Sequence, residues 1–210
     1  MASLSVTDLW STPLWVAGPH GDEALHARLT QKAIDINQEM LVENPRIFYE
    51  RNKANIFDRY KADEDVRNVG KLFVRACRDY IGRCYGDQRP YRVDISGYVS
   101  VQRDGDSIPW HAHVGTSHIT AIFYTAVGNG GELLLEDPRP INRDWDPHGP
   151  RRPERRYHHV KPEPGMLVLF PGFVPHATQK FSGAVRVCWV ADMLVNFEGI
   201  EEPKIPETNL

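Results

Sequence analysis

Cysteine is scarce in this chain. Among 210 residues there are three, Cys77, Cys84 and Cys188. An odd number with no close pair argues against a disulfide framework or a zinc knuckle. They read as reduced thiols, and the chain as a cytoplasmic protein. A surplus of one charge is lacking too: 25 Lys and Arg stand against 28 Asp and Glu, a net charge of −3. Nothing global therefore draws the chain to nucleic acid or to an anionic membrane. No apolar run reaches the ~20 residues needed to span a bilayer. The opening stretch, MASLSVTDLWSTPLW, has no basic start and no unbroken apolar block. It reads as a strand rather than a secretory signal. Internal repeats and low-complexity tracts are absent.

What remains is ordinary globular material, 41% hydrophobic and 25% charged. The length suits one domain with a full core, or at most two small ones. The first ninety residues read as helical. Residues 22–42 set Leu25, Leu29, Ala33, Ile36 and Met40 on one face. Residues 63–85 do the same with Val66, Val69, Leu72, Phe73, Ala76, Tyr80 and Ile81, at spacings of three and four. Asp63 is placed to cap that second helix. From about residue 91 the period becomes two, with Val93, Ile95, Val99 and Val101 alternating with polar neighbours. Further strands are expected at 117–126, 131–136, 157–161, 166–170 and 184–196. Turn signals separate them at 105–106, 128–131, 162–165 and 182–183.

Helices followed by many antiparallel strands predict an α+β jelly-roll barrel with the N-terminal helices packed on it. The expected layout is one domain over 1–210. Residues 1–90 form a helical support with an N-terminal strand, 91–197 the barrel, and 198–210 a loose tail. Residues 138–156 are dense in proline and charge and read as a long loop. Its Arg151, Arg152, Arg155 and Arg156 either cover a site and attract an anionic substrate or form a solvated face.

Four residues stand in a telling order. His111 and His113 lie two apart in Trp110-His111-Ala112-His113, His176 follows far downstream, and Arg186 comes ten residues later. On a strand, residues two apart share a face, with Cα atoms about 6.5–7 Å apart. Two imidazoles can then lean onto one ion, and His176 from across the barrel would complete a facial set. Such a set leaves half the coordination sphere open. If a hairpin turns near Ser182 and Gly183, His176 lies nearly opposite Cys188. Arg186 is then one diagonal step from His176, about 7–8 Å. That matches a five-carbon diacid held at one end by the metal and at the other by a guanidinium. The flanks of Arg186 look buried, and a buried arginine needs an anion.

These pieces resemble the Fe(II)/2-oxoglutarate-dependent dioxygenases, in particular their prolyl-hydroxylase-like branch. The match runs from about Tyr91 to Phe197 and is carried by four segments: WHAH, SHITAIFYTAVGNGGELLLE, PEPGMLVLFPGFVPH and GAVRVCWV. A bacterial subfamily with Asp-Pro-Arg after the glycine-rich strand, here Asp137-Pro138-Arg139, is the most similar. The resemblance implies a double-stranded β-helix, a cupin-like jelly roll. It implies Fe(II) and 2-oxoglutarate as cofactors, and O2 and a small-molecule or amino-acid substrate as reactants. A homodimer is compatible with it. His111 takes the first-ligand position and His176 the distal histidine. Arg186 would bind the far carboxylate of 2-oxoglutarate, with Tyr124 hydrogen-bonded to the same group and Gln102 near another contact position.

His113 departs from the pattern, since the usual family has a carboxylate there. Three readings stay open. His113 is a ligand in a three-histidine site, or Glu136 or Asp137 reaches in and His113 stands behind. In the third, only His111 and His176 bind, leaving a position for water or halide. Acceptors for the second imidazole nitrogens are sought at Asp104, Asp106 and Ser117, and Thr116 and His118 at the mouth. Two rival functions remain. One is a cupin-type three-histidine metalloenzyme without 2-oxoglutarate, and the other a non-catalytic ligand-binding barrel.

Overall fold

Asp63 starts the most amphipathic helix because its carboxylate accepts the otherwise unpaired N–H groups of Asp65 and Val66. That helix, α3 (Glu64–Cys84), buries Val66, Val69, Phe73, Ala76, Cys77, Tyr80 and Ile81, the face anticipated from spacing. Asp22 caps α1 (Glu23–Glu43) in the same way, accepting from Leu25 N at 2.8 Å. Between them lies α2, one turn at Ile56–Arg59, capped by Asn55. The computed structural model describes residues 11–44, 55–86, 89–138 and 157–198.

The strands are β1 (Trp15–Ala17), β2 (Tyr91–Gln102), β3 (Ile119–Ala126), β4 (Asn129–Gly130), β5 (Leu133–Glu136), β6 (Tyr157–Val160), β7 (Leu167–Pro171), β8 (His176–Thr178), β9 (Phe181–Ser182) and β10 (Arg186–Phe197). All pairings are antiparallel. A large sheet runs β1-β7-β3-β10-β2, a small one β6-β5-β8, and β4 pairs with β9 in a ribbon. Every strand expected from alternation is present, with ends shifted by one or two residues.

Alternation divides the core in two. One face of the large sheet packs Val99, Ala121, Phe123, Leu167, Leu169, Trp189 and Met193 against Leu29, Ile36, Phe73 and Tyr80 of the helices. The other face sets Ile122, Tyr124, Val168, Phe170, Cys188 and Val190 against Leu133, Leu135 and Val160 of the small sheet. The result is an α+β jelly roll with helices outside the large sheet, as the pattern predicts. Asn55 locks α2 to the edge strand. Its Nδ2 donates to Ile95 O at 3.0 Å and its Oδ1 accepts from Gly97 N at 3.1 Å.

One expected pairing does not form. The hairpin anticipated between His176 and Arg186 is absent: β8 pairs with β5, whereas β10 lies between β2 and β3. Cys188 stands opposite Ser100 and Tyr124, not His176. The short strand β9 pairs with β4 instead, and the chain passes from the small sheet to the large one. A jelly roll crosses between its sheets here, which local turn signals do not reveal. The arginine-rich loop and tail expectations fall outside the described residues.

Truncation of the fully buried Phe73, which packs edge-on to Phe57 at 6.0 Å, is expected to cost about 3–5 kcal/mol. Asp63→Ala, which removes a cap, is expected to cost about 1 kcal/mol. Urea unfolding of both variants checks the ranking.

Candidate metal centre

His111 and His176 are neighbours, not partners across the barrel. They form an isolated antiparallel bridge, His111 N donating to His176 O at 3.0 Å and His176 N to His111 O at 2.8 Å. Directly opposite residues of an antiparallel pair point to one face, so the rings meet with centroids 4.2 Å apart. His113 is held one step on, where its N–H donates to Gly172 O at 2.8 Å. A side chain at Gly172 would put Cβ 2.3 Å from Ser117 O, so glycine permits this close approach. The His113 ring lies 5.2 Å from that of His111 and 5.1 Å from that of His176. One donor atom from each of the three falls within 4.8 Å of the others.

The second nitrogens are spoken for. His111 Nδ1 lies 2.8 Å from Pro109 O, and His176 Nδ1 lies 3.0 Å from Val174 O. His113 Nδ1 lies 2.7 Å from Asp192 Oδ1. Each partner can only accept, so each Nδ1 carries the proton and each Nε2 carries the lone pair. His113 Nε2 is buried without a partner. Burial pushes the pKa of His176 down to about 4, against the opposing pull of the Val174 carbonyl, and the two neighbouring imidazoles lower it further. At neutral pH it is an uncharged donor. Three imidazole nitrogens converging at half-buried to buried depth fit a divalent transition metal.

Glu136 and Asp137 do not join this group. Leu135 is the residue opposite His176, so Glu136, one residue on, points to the other face of the small sheet. The acceptors expected from nearby sequence are engaged elsewhere. Asp104 accepts from Gly183 N, Asp106 accepts from Arg103 N, and Ser117 donates to Ile119 O. Asp192, seventy-nine residues from His113 in the sequence, takes that place. An acid inside the apolar run VCWVADMLV was the available signal. Thr116 donates to His113 O, and His118 Nδ1 accepts from Val195 N, so both brace the loop. Arg139 and the Arg151–Arg156 stretch lie outside the described residues.

Arg186 lies on the inner face of β10 and is 1% exposed. It sits opposite Gln102, and its guanidinium donates to Gln102 Oε1. The same group lies 5.1 Å from the centre of the Tyr124 ring. Among the described residues no carboxylate pairs with it, and Arg186 Nε and Tyr124 Oη are buried without partners. Burial raises the Tyr124 pKa, so its phenol stays protonated and able to donate. Gly131, with φ +64°, leaves the space beside the guanidinium: a Cβ there would lie 2.9 Å from Arg186 Cδ. Gln102 Nε2 in turn donates to Thr178 Oγ1 at 3.4 Å, two residues beyond His176 on the same face of β8. Thr178 was not among the expected site residues, although its spacing from His176 was visible. A guanidinium with no acidic partner among the described residues and an unbonded phenol thus converge where a carboxylate would satisfy both.

The pH dependence of the metal-free protein follows from His176. The unfolded imidazole takes a proton near pH 6.5, whereas the folded one resists until about pH 4. Between these values the unfolded state binds more protons, so stability falls as pH drops from 6.5 towards 4 and levels off below. The slope from this one group is at most about 1.4 kcal/mol per pH unit. His176→Gln is expected to flatten that window in urea unfolding followed across pH.

Residues 97–192 match the family model described as "Putative 2OG-Fe(II) oxygenase", 2OG being 2-oxoglutarate. No curated protein matches the chain. A prolyl hydroxylase from Trichoplax adhaerens, solved with a hypoxia inducible factor peptide fragment, superimposes with a TM-score of 0.55 at 16% identity. The match covers 86% of this chain and 83% of that one. A Pseudomonas putida prolyl-4-hydroxylase gives 0.52 at 15% identity, covering 87% of each chain. These likenesses show a shared double-stranded β-helix. A 2OG-Fe(II) oxygenase family oxidoreductase from Burkholderia pseudomallei matches 61% of this chain and only 57% of its own length, at 13% identity and a TM-score of 0.46. The matched segment holds the three clustered histidines, the buried arginine with its two neighbours, and Asp192, so the residues of the site lie within the part of the chain that is similar to this family.

Proposed function

We propose that this chain is an Fe(II)- and 2-oxoglutarate-dependent oxygenase that hydroxylates a small-molecule or amino-acid substrate, with His111, His113 and His176 as the metal ligands. The observation that carries the reading is the pairing of two sites in one barrel. One is a cluster of three imidazoles, each with its Nδ1 engaged by an acceptor. The other is a buried guanidinium with no acidic partner among the described residues.

With Fe(II) and 2-oxoglutarate bound, the site supplies oxidation by O2, with 2-oxoglutarate leaving as succinate and CO2 and one oxygen atom entering a C–H bond. The protein's part is placement. The Arg186 fork grips the far carboxylate of 2-oxoglutarate, the Tyr124 hydroxyl donates to it, and Gln102 holds the guanidinium in plane. The apolar walls of Ile122, Phe170 and Val190 exclude water from the interior. A three-histidine enzyme that dispenses with 2-oxoglutarate would leave the buried charge of Arg186 unanswered, so the co-substrate reading is favoured over the cupin-type one. The near-neutral charge, the free thiols and the lack of any membrane-length apolar helix among the described residues support a cytoplasmic enzyme acting without nucleic acid or membrane. Assembly as a homodimer is part of this proposal, and a measurement of the oligomeric mass in solution would test it.

Anaerobic addition of Fe(II) and then 2-oxoglutarate is expected to give a visible charge-transfer band, and turnover to give succinate. Arg186→Ala should weaken 2-oxoglutarate binding at least ~10-fold, the value of a charge-assisted hydrogen bond, while sparing Fe(II) binding. No band and no succinate from the wild-type protein would overturn the function.

A further inference from the structure

A carboxylate is missing from the ligand set, yet one stands directly behind it. Asp192 Oδ1 lies 2.7 Å from His113 Nδ1, with the two side chains 17% and 10% exposed. The carboxylate is itself held: Thr120 Oγ1 donates to the same Oδ1 at 3.2 Å. Its backbone is fixed on both sides, since Asp192 sits in β10 opposite Ser96 of β2 and Thr120 of β3. Among the described residues no lysine or arginine pairs with Asp192, so its charge is directed at the imidazole. On the far side of that ring His113 Nε2 is buried without a partner.

We infer that Asp192 is a positioning residue that returns to the metal, through His113, the negative charge a carboxylate ligand would bring. This rests on the proposed metal site. A hydrogen bond from Nδ1–H to a carboxylate fixes the tautomer, sets the ring plane and makes Nε2 a stronger donor. The backbone carbonyls behind His111 and His176 fix tautomer and plane but carry no full charge. The divalent ion therefore meets three imidazoles and one anion at one ring's remove, instead of two imidazoles and an anion in contact. That geometry imposes a constraint absent from a site with a carboxylate ligand: an acid cannot simply be restored at position 113. His113→Asp would set two carboxylates facing one another, with neither proton nor imidazole between them.

The test is Co(II) titration of the metal-free protein, followed by absorption and calorimetry, for the wild type, D192N, D192A, H113A, H113D and the double variant H113D/D192N. Circular dichroism of each metal-free protein checks folding. The amide in D192N keeps an acceptor for Nδ1–H but no charge. That variant is expected to bind Co(II) ~10-fold or more weakly, and D192A more weakly still, within the ~10–100-fold typical of lost outer partners. H113D should also bind weakly, and H113D/D192N should recover, because the acid is then the ligand and the repulsion is gone. A merely structural role for Asp192 predicts no such recovery. In the metal-free wild type, 15N–1H spectra should show a strongly deshielded His113 Nδ1 proton that D192A abolishes. Co(II) binding by D192N equal to wild type, or H113D/D192N no tighter than H113D, would overturn the role while leaving the metal site standing. Wild-type protein that binds no Co(II), or H113A that binds as well as wild type, would overturn the metal site and this role together.

Discussion

The strict alternation of β10, locked between two partners, is the constraint on which the site depends. Twelve residues pair with β2 along their whole length, and those from Val187 to Met193 pair with β3 as well. Val187, Trp189, Ala191 and Met193 are buried against the helices, so Arg186, Cys188, Val190 and Asp192 must face the interior. A slip of one residue would expose Trp189 to the barrel and turn Arg186 and Asp192 into the apolar layer, at a cost in lost burial and unpaired charge that forbids it. The helical layer is thus what aims the two ionic side chains of this strand.

The same strand serves both ends of the interior. Arg186 stands at its start, opposite Gln102, and Asp192 six residues on, opposite Thr120 and Ser96. One answers to the buried pocket of Tyr124 and Gln102, the other to His113. The remaining link comes from the small sheet, where the bridge of His111 to His176 fixes two rings and Thr178 reaches Gln102. The histidine cluster and the Arg186 pocket are therefore coupled through backbone register and a short chain of hydrogen bonds.

Much of the fold was legible in sequence because burial leaves a period. The α3 face, its Asp63 cap and the alternating strands come from local rules, and these held because tertiary packing agreed with them. The cluster of three histidines was legible for a different reason: two histidines at strand spacing and a third opening a strand after a Pro-Gly break are local features. What failed were the inferences about who neighbours whom. His176 was expected opposite Cys188, yet it pairs with Leu135 and His111. The acceptors behind the imidazoles were sought at the side chains of Asp104, Asp106 and Ser117, yet two are the backbone carbonyls of Pro109 and Val174, each two residues from its histidine, and the third comes from β10.

The amino-acid sequence by itself determined the kinds of elements, the faces they bury, and which side chains have the chemistry for a metal and a diacid. It did so because propensity, capping and periodicity act within a few residues. The tertiary structure alone decided that His113 answers to Asp192, that Glu136 turns away from the centre, and that Arg186 is buried without an acid among the described residues. Those outcomes depend on strands brought together from about forty or more residues apart, where the register of one strand against another, and no local pattern, sets which side chains meet.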